Sequence, residues 1–193
     1  MNRKSIGQEY VILATNKNGK LSSDSKVGVV VAALADLMIE GVVVLEKKLL
    51  EIKKDLPANL NHLTSLYEYL NEKPRKMDKV MGDYCLGLTD KRVKALVAEI
   101  GDVPKASDKE MLIATIKDEI MQKEELSAHD MALVFVMQET KCLKQYLSKY
   151  ELDTLKVKLK AMRKAPQNKE LRDMIICVDR MMVCMMTCIV VSS

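Results

Sequence analysis

The feature that most constrains the fold is a stretch at residues 27–41 (VGVVVAALADLMIEG) that is apolar on nearly every side. A helix that is hydrophobic all round must be surrounded by other helices or by lipid. Asp36 and Glu40 interrupt the stretch, and it is shorter than the roughly 20 apolar residues that span a bilayer. A polar run beginning at Ser22 can cap its first amides, and Gly41 is placed to end it. The pattern predicts a buried central helix.

Apolar residues at helical spacing predict helices along most of the remaining chain. These helices should lie at about 6–15, 62–72, 76–85, 90–100, 107–122, 127–147, 151–164 and 170–191. The last of them is strongly apolar but too short to span a bilayer, which predicts a second buried helix. The β-branched residues after Gly41, interrupted by Lys47 and Lys48, predict a small hairpin. We therefore predict an all-α fold, a single globular multi-helix domain over residues 1–193 with two buried central helices and a small β-hairpin.

Cysteine usage indicates a reducing compartment. The chain has five cysteines, an odd number, and its residues 1–10 lack the apolar run of a secretory signal. We therefore expect a cytoplasmic protein. Cys177, Cys184 and Cys188 would share one helical face, but the two histidines lie far away in sequence. We interpret these cysteines as buried thiols and expect no metal site.

The net charge of +4 is too small to select a partner, but the basic residues are clustered. Residues 156–169 include six basic residues and no acidic one. Helical spacing places four of them on one face: Lys156, Lys160, Arg163 and Lys164. This face could lie on an anionic bilayer, at about 1 kcal/mol per basic residue, or it could be an ordinary solvated surface.

A second basic cluster consists of Lys91, Arg92 and Lys94. The segment that contains it, residues 89–101, also resembles a helix of a winged-helix nucleic-acid module, in which the lysine-rich hairpin would be the wing. However, no second helix rich in Arg, Asn or Gln follows to read base edges. We therefore expect no nucleic-acid partner.

The sequence has few of the residues that catalysis requires. It contains no glycine-rich phosphate loop, and His62 and His129 are isolated near predicted helix starts, where surface or capping roles are common. Asp36 is the one acid whose pKa should be unusual, because it lies within the apolar helix. It should meet a lysine or a backbone amide rather than act as a general base. We therefore expect a non-enzymatic protein without a cofactor.

A series of short motifs follows the same order along the chain as in a known family. The motifs are an opening helix at 9–13 (EYVIL), a turn at 18–21 (NGKL), an apolar helix end at 34–41 (LADLMIEG) and a strand at 42–45 (VVVL). A further helix end at 96–101 (LVAEIG) and the apolar helix at 127–147 continue the series. In this order they resemble the Golgi phosphoprotein 3 family, which includes bacterial relatives.

The resemblance implies peripheral membrane binding. Eukaryotic members bind phosphatidylinositol 4-phosphate and the tails of membrane glycosyltransferases through a pocket of one Trp and several Arg. In this sequence the Trp position of the pocket falls near Leu21 and one Arg position near Val30. The paired Arg positions fall within residues 88–92, where Arg92 is the only arginine and Lys91 its basic neighbour. The segment matching the hairpin that assembles eukaryotic tetramers is short here. The resemblance therefore implies the fold of the family, but neither its headgroup specificity nor its oligomeric state.

We therefore expect a non-catalytic, adaptor-like protein that binds phosphoinositide or another anionic phospholipid on the cytosolic face of a membrane. The candidate lipid-binding residues are those of the two basic clusters: Lys91, Arg92, Lys94, Lys156, Lys160, Arg163 and Lys164. The alternative is a helical module that binds a protein partner and no lipid. Lipid binding by a basic face should weaken steeply with salt, whereas a protein partner should need an exposed apolar patch.

Overall fold

In a computed structural model, the described residues are 3–16, 18–85, 90–101, 106–122, 126–164, 176, 179–180 and 183. The helices in this part are α1 (Ile6–Ala14), α2 (Ser23–Ile39), α3 (Thr64–Asn71), α4 (Met77–Cys85), α5 (Asp90–Ile100), α6 (Ala106–Gln122), α7 (Ala128–Glu139) and α8 (Lys149–Lys164). The strands are β1 (Val43–Glu46), β2 (Leu49–Ile52) and β3 (Arg75–Lys76). Two 3-10 segments lie at Ala58–Leu63 and Cys142–Gln145. The predicted helical fold with a small hairpin is confirmed.

Helix α2 lies at the centre of the core, as predicted. Its side chains from Val29 to Ala35 are buried on every side, and α1, α4, α5 and α7 all pack against it. The Ser22 hydroxyl accepts a hydrogen bond from the Ser25 amide at 3.1 Å and so caps the helix start. Gly41 follows the helix end with a φ of +64°, a conformation that glycine adopts without the strain of a Cβ.

Strands β1 and β2 form the predicted hairpin, in which Glu46 pairs with Leu49 across a two-residue loop. The loop residues Lys47 and Lys48 have φ values of +47° and +71°. Such turns favour Asn and Gly, because other side chains are strained at positive φ. Strand β3 adds to β2 as the third strand of the sheet. The sequence does not predict it, because two residues are too few to show an alternating pattern.

The predicted length of the helix at 127–147 is wrong, because α7 ends at Glu139. The Thr140 hydroxyl, just beyond its end, accepts a hydrogen bond from the Tyr10 hydroxyl of α1 at 3.0 Å. Lys141 then has a φ of +59°, which turns the chain into the second 3-10 segment. A contact with a distant helix therefore coincides with the end of α7.

Helix α7 is the second buried central helix in the part of the chain that the structure describes. Its residues from Asp130 to Met137 are all buried, as the continuous apolar sequence from Met131 to Met137 predicts for that stretch. The helix buries this stretch between α1 and α2, because it packs against both.

The other predicted core helix, at residues 170–191, is described at four positions only. Ile176, Asp179, Arg180 and Val183 are helical, and the side chains of Ile176 and Val183 are exposed. The prediction of burial is wrong at these two positions, because they share a helical face with the charged Asp179 and Arg180. The other residues of that helix, including Cys177, Cys184 and Cys188, lie outside the described residues.

Candidate functional site

Helix α5 presents one of the two predicted basic clusters to solvent. Lys91, Arg92 and Lys94 are all exposed. The helix packs against α2 and α4 through a face of buried apolar residues: Val93, Leu96 and Ile100. The three basic side chains therefore share the exposed side of one firmly packed helix.

An aromatic ring that the sequence pattern does not single out supports Arg92. The guanidinium carbons of Arg75 and Arg92 lie 4.0 Å and 4.9 Å from the centre of the Tyr69 ring in α3. A cation within about 6 Å of an aromatic face is attracted by the quadrupole of the ring. Arg75 is buried, and its Nε also donates to the Tyr69 carbonyl at 3.0 Å. Arg92, in contrast, is 48% exposed, so a ligand can reach it.

Asp83 in α4 is an acid that faces Arg92. Its carboxylate accepts hydrogen bonds from the Tyr69 hydroxyl and the Lys79 ammonium, each at 2.7 Å, and lies 3.9 Å from the Arg92 guanidinium. Burial opposes the ionisation of Asp83, but the bonds from Lys79 and Tyr69 outweigh it and hold its pKa below the usual value. Because Asp83 is shared among these groups, it neutralises Arg92 only in part.

Helix α8 carries the other predicted basic cluster. Lys156 and Lys160 are exposed. Arg163 and Lys164 belong to the last turn of α8, and their side chains lie outside the described residues. The opposite face of the helix is held by buried leucines, as the spacing predicts: Leu155 and Leu159.

Two large apolar side chains also lie on the outer side of α8. Tyr150 and Val157 are 72% and 71% exposed. They are seven residues apart, which places them two turns apart on one helical face. A sequence pattern could have marked this second stripe, but the leucines opposite are more apolar and dominate the amphipathic signal.

The two basic clusters lie on helices with different neighbours. Helix α5 packs against α2 and α4, whereas α8 packs against α6. The structure therefore places the predicted site residues in two groups on two separately packed helices.

A cleft of about 530 Å³ lies beside the hairpin. It is lined by apolar residues and by charges of both signs: Leu45, Lys48, Lys76, Met77, Asp78, Asp179, Arg180 and Val183. The cleft contains none of the predicted site residues, and its mixed charges do not select a ligand of one sign.

A network of polar side chains, in which the acids are buried and Arg3 is partly exposed, lies at the start of α1, where the sequence predicts no site. The Arg3 guanidinium contacts Glu9 at 3.3 Å and also contacts the Asp130 carboxylate. Nε2 of His129 lies 2.9 Å from the other oxygen of Glu9. Burial acts to raise the pKa of Asp130. The hydrogen bonds to its carboxylate, of which the one from Arg3 has the largest effect, outweigh burial and lower the pKa to about 2. The network joins α1 to α7.

Asp36 ties α2 to the start of α1. Its two carboxylate oxygens accept hydrogen bonds from the backbone amides of Ile6 and Gly7, both at 2.8 Å. The first amides of a helix have no partner within that helix, so the carboxylate satisfies two of them. Burial raises the pKa of Asp36 to about 6, although the two amides act in the opposite direction. Of the two predicted partners, a lysine or a backbone amide, the structure shows backbone amides.

No helix among the described residues is both long enough and apolar enough to cross a membrane. Within the same residues, no group of three potential ligands from His, Cys, Asp and Glu could hold a metal ion.

Comparison with known proteins identifies a family for this chain. No protein with a curated description matches the sequence. The profile of one family, described as Golgi phosphoprotein 3 (GPP34), matches residues 6–178. This range runs from the first residue of α1 into the predicted last helix, and it includes every motif on which the resemblance rests. The chain therefore belongs to the Golgi phosphoprotein 3 family.

Proposed function

We propose that this protein binds phosphoinositide or another anionic phospholipid peripherally, as a non-catalytic adaptor, through the basic residues of α5 and α8. The observation that carries the proposal is the position of Arg92. Its guanidinium lies against the Tyr69 ring and stays half-exposed beside Lys91 and Lys94. An ordered guanidinium can donate two parallel hydrogen bonds to a phosphate, which makes arginine well suited to phosphate recognition.

Family membership supports the proposal. Members of the Golgi phosphoprotein 3 family are generally Golgi-associated adaptors that bind phosphatidylinositol 4-phosphate. The family is generally non-catalytic. Two pocket positions of the family fall near Leu21 and Val30, and Val30 is fully buried and apolar here. The remaining position falls within residues 88–92, where Lys91 and Arg92 are basic and exposed. The proposal is therefore for anionic phospholipid as a class, without a specified headgroup.

The expected strength follows from the number of charges. A basic residue close to an anionic surface contributes about 1 kcal/mol. The three residues of the α5 cluster together would therefore change the affinity by on the order of a hundredfold. Exposed charges are screened within about 8 Å at physiological ionic strength. The binding should consequently weaken as salt is added.

Co-sedimentation with liposomes tests the proposal. The protein should sediment with vesicles that contain anionic lipid or phosphoinositide, and it should stay in solution with neutral vesicles. The bound fraction should fall from low to physiological salt. Absence of binding to anionic vesicles at either salt concentration would refute the proposal.

Three alanine variants locate the contact, each first checked for folding by circular dichroism. The first removes the α5 cluster (Lys91, Arg92 and Lys94→Ala), and the second removes the α8 cluster (Lys156, Lys160, Arg163 and Lys164→Ala). The control removes three exposed lysines elsewhere and so matches the charge change of the first variant (Lys20, Lys54 and Lys73→Ala). Equal loss in the control and in the α5 variant would show that net charge, rather than the α5 cluster, determines binding.

The second candidate function is binding of a protein partner. It is favoured by two exposed methionines of α6, Met111 and Met121. Methionine has a flexible side chain that adapts to different partners, which suits an exposed methionine to a protein interface. A protein that uses such a surface and binds no lipid would not sediment with anionic vesicles at either salt concentration, so the same co-sedimentation assay separates the two candidates.

A further inference from the structure

The outer face of α8 combines apolar side chains with lysines. Tyr150 and Val157 are 72% and 71% exposed, and the exposed Ala161 continues their stripe by one further turn. Lys156 and Lys160, both exposed, lie along one side of this stripe. The helix therefore has one apolar face in the core and a second, narrower one in solvent.

Helix α8 cannot rotate to bury the outer stripe, because several contacts fix its orientation. Ser148 and Glu151 form a reciprocal cap, with the Ser148 amide donating to the Glu151 carboxylate at 2.6 Å. The same carboxylate pairs with Lys117 of α6 at 3.4 Å. The Lys158 ammonium donates to the Ile120 carbonyl at the end of α6. With Leu155 and Leu159 in the core, these contacts hold Tyr150 and Val157 outward.

The charges on α8 are complementary to an anionic surface. The helix contains six basic residues and two acidic ones, Glu151 and Asp153. Both acids are engaged, since Glu151 pairs with Lys117 and Asp153 with Lys156 at 3.1 Å. No acidic residue follows Asp153 within the helix, so its C-terminal two thirds are positive throughout.

We infer that α8 lies along the interface of an anionic bilayer, with the Tyr150 and Val157 side chains inserted among the lipid headgroups. The inference rests on the proposed function and names the element and the mode of contact. Tyrosine suits this position because its ring is apolar and its hydroxyl is polar. The lysines beside the stripe extend their apolar stems along the surface and keep their ammonium groups at the phosphates. Binding then has a hydrophobic part in addition to the electrostatic one.

A single-tryptophan reporter tests the inference directly, because the chain contains no tryptophan. Tyr150→Trp places the reporter on the outer face of α8. Ala58→Trp serves as the matched control, since Ala58 is exposed in the 3-10 segment before α3. Both variants are mixed with anionic vesicles whose acyl chains carry bromine, and co-sedimentation is measured on the same samples. We expect the fluorescence at position 150 to be quenched and shifted to shorter wavelength, while that at position 58 stays unchanged.

The outcomes separate the inference from the proposed function. If the protein sediments with anionic vesicles but bromine does not quench the reporter at position 150, the inference is overturned and the proposed function stands. If the wild-type protein does not sediment, both fail. If the reporter at position 150 shifts with protein concentration in the absence of lipid, a second copy of the chain covers this face, and the inference is again overturned.

A second variant measures the hydrophobic part of the binding. Tyr150→Ser together with Val157→Ser should weaken binding to anionic vesicles by on the order of tenfold. The remaining binding should depend more steeply on salt, because the part that salt does not screen has been removed. Lys156→Ala with Lys160→Ala should have the opposite effect on the salt dependence. Unchanged affinity in the serine variant would contradict insertion.

Discussion

Asp36→Asn should abolish a specific pH dependence of the stability of this protein. The carboxylate is buried in α2 and holds the amides of Ile6 and Gly7, and burial raises its pKa to about 6. The amides and the nearby His129 act against this shift without cancelling it. Asparagine has nearly the same shape but no charge, so the substitution removes the titration and keeps the packing.

The sign of the effect follows from proton binding. With a pKa of about 6 in the folded protein and 3.8 as the reference value, the folded state binds more protons between these limits. Stability contributed by Asp36 is therefore fully present below the unfolded pKa and is lost as pH rises through the folded one. The whole shift corresponds to about 3 kcal/mol, of which about 2 kcal/mol falls between pH 4 and pH 7.

Urea unfolding at a series of pH values measures this effect. The difference in unfolding free energy, wild type minus Asp36→Asn, should fall by about 2 kcal/mol from pH 4 to pH 7. An amide can accept at only one of its two ends, so the variant should also lose about 1 kcal/mol at every pH. Asp153→Asn, which removes an exposed carboxylate from α8, is the control. Parallel pH profiles for wild type and Asp36→Asn would refute the reasoning.

Three further substitutions test other parts of the fold. Gly28→Ala should lower the free energy of urea unfolding by about 1–3 kcal/mol, because the new Cβ would lie 2.0 Å from the hydroxyl oxygen of the buried Tyr10. A variant as stable as the wild type would contradict this close contact. Replacing the loop Lys47–Lys48 with Asn-Gly should stabilise the hairpin by roughly 1 kcal/mol, because both lysines have a positive φ. The Tm should therefore rise, and an unchanged or lower Tm would show that the lysines are not strained. Arg75→Ala should cost on the order of 2 kcal/mol in urea unfolding, because it leaves the Tyr69 carbonyl without its donor and removes the nearer of the two cations on the Tyr69 ring. Arg92→Ala should cost less than about 1 kcal/mol, because Arg92 is half-exposed, and the reverse order would contradict their assigned roles.

The candidate site was predictable in part. The basic clusters can be found from the sequence because charge and helical spacing are local properties, and the described members are exposed as expected: Lys91, Arg92, Lys94, Lys156 and Lys160. The ring beneath Arg92 could not be found in the same way, because Tyr69 lies on another helix and 23 residues away. The apolar stripe on α8 has a local signal, but the stronger leucine face conceals it.

Sequence alone located the helices of the described part of the chain and most of their buried faces, because hydrophobic periodicity reports the environment of a helix face; it failed at Ile176 and Val183, which are exposed. It also located the hairpin and the order of motifs that marks the family. Tertiary structure decided how the segments end and meet. The end of α7 coincides with the bond from Tyr10 to Thr140, which joins residues 130 positions apart, and Asp36 caps a helix 29 residues before it. Such contacts leave no periodic trace, since each depends on a single pair of atoms that only the folded chain brings together.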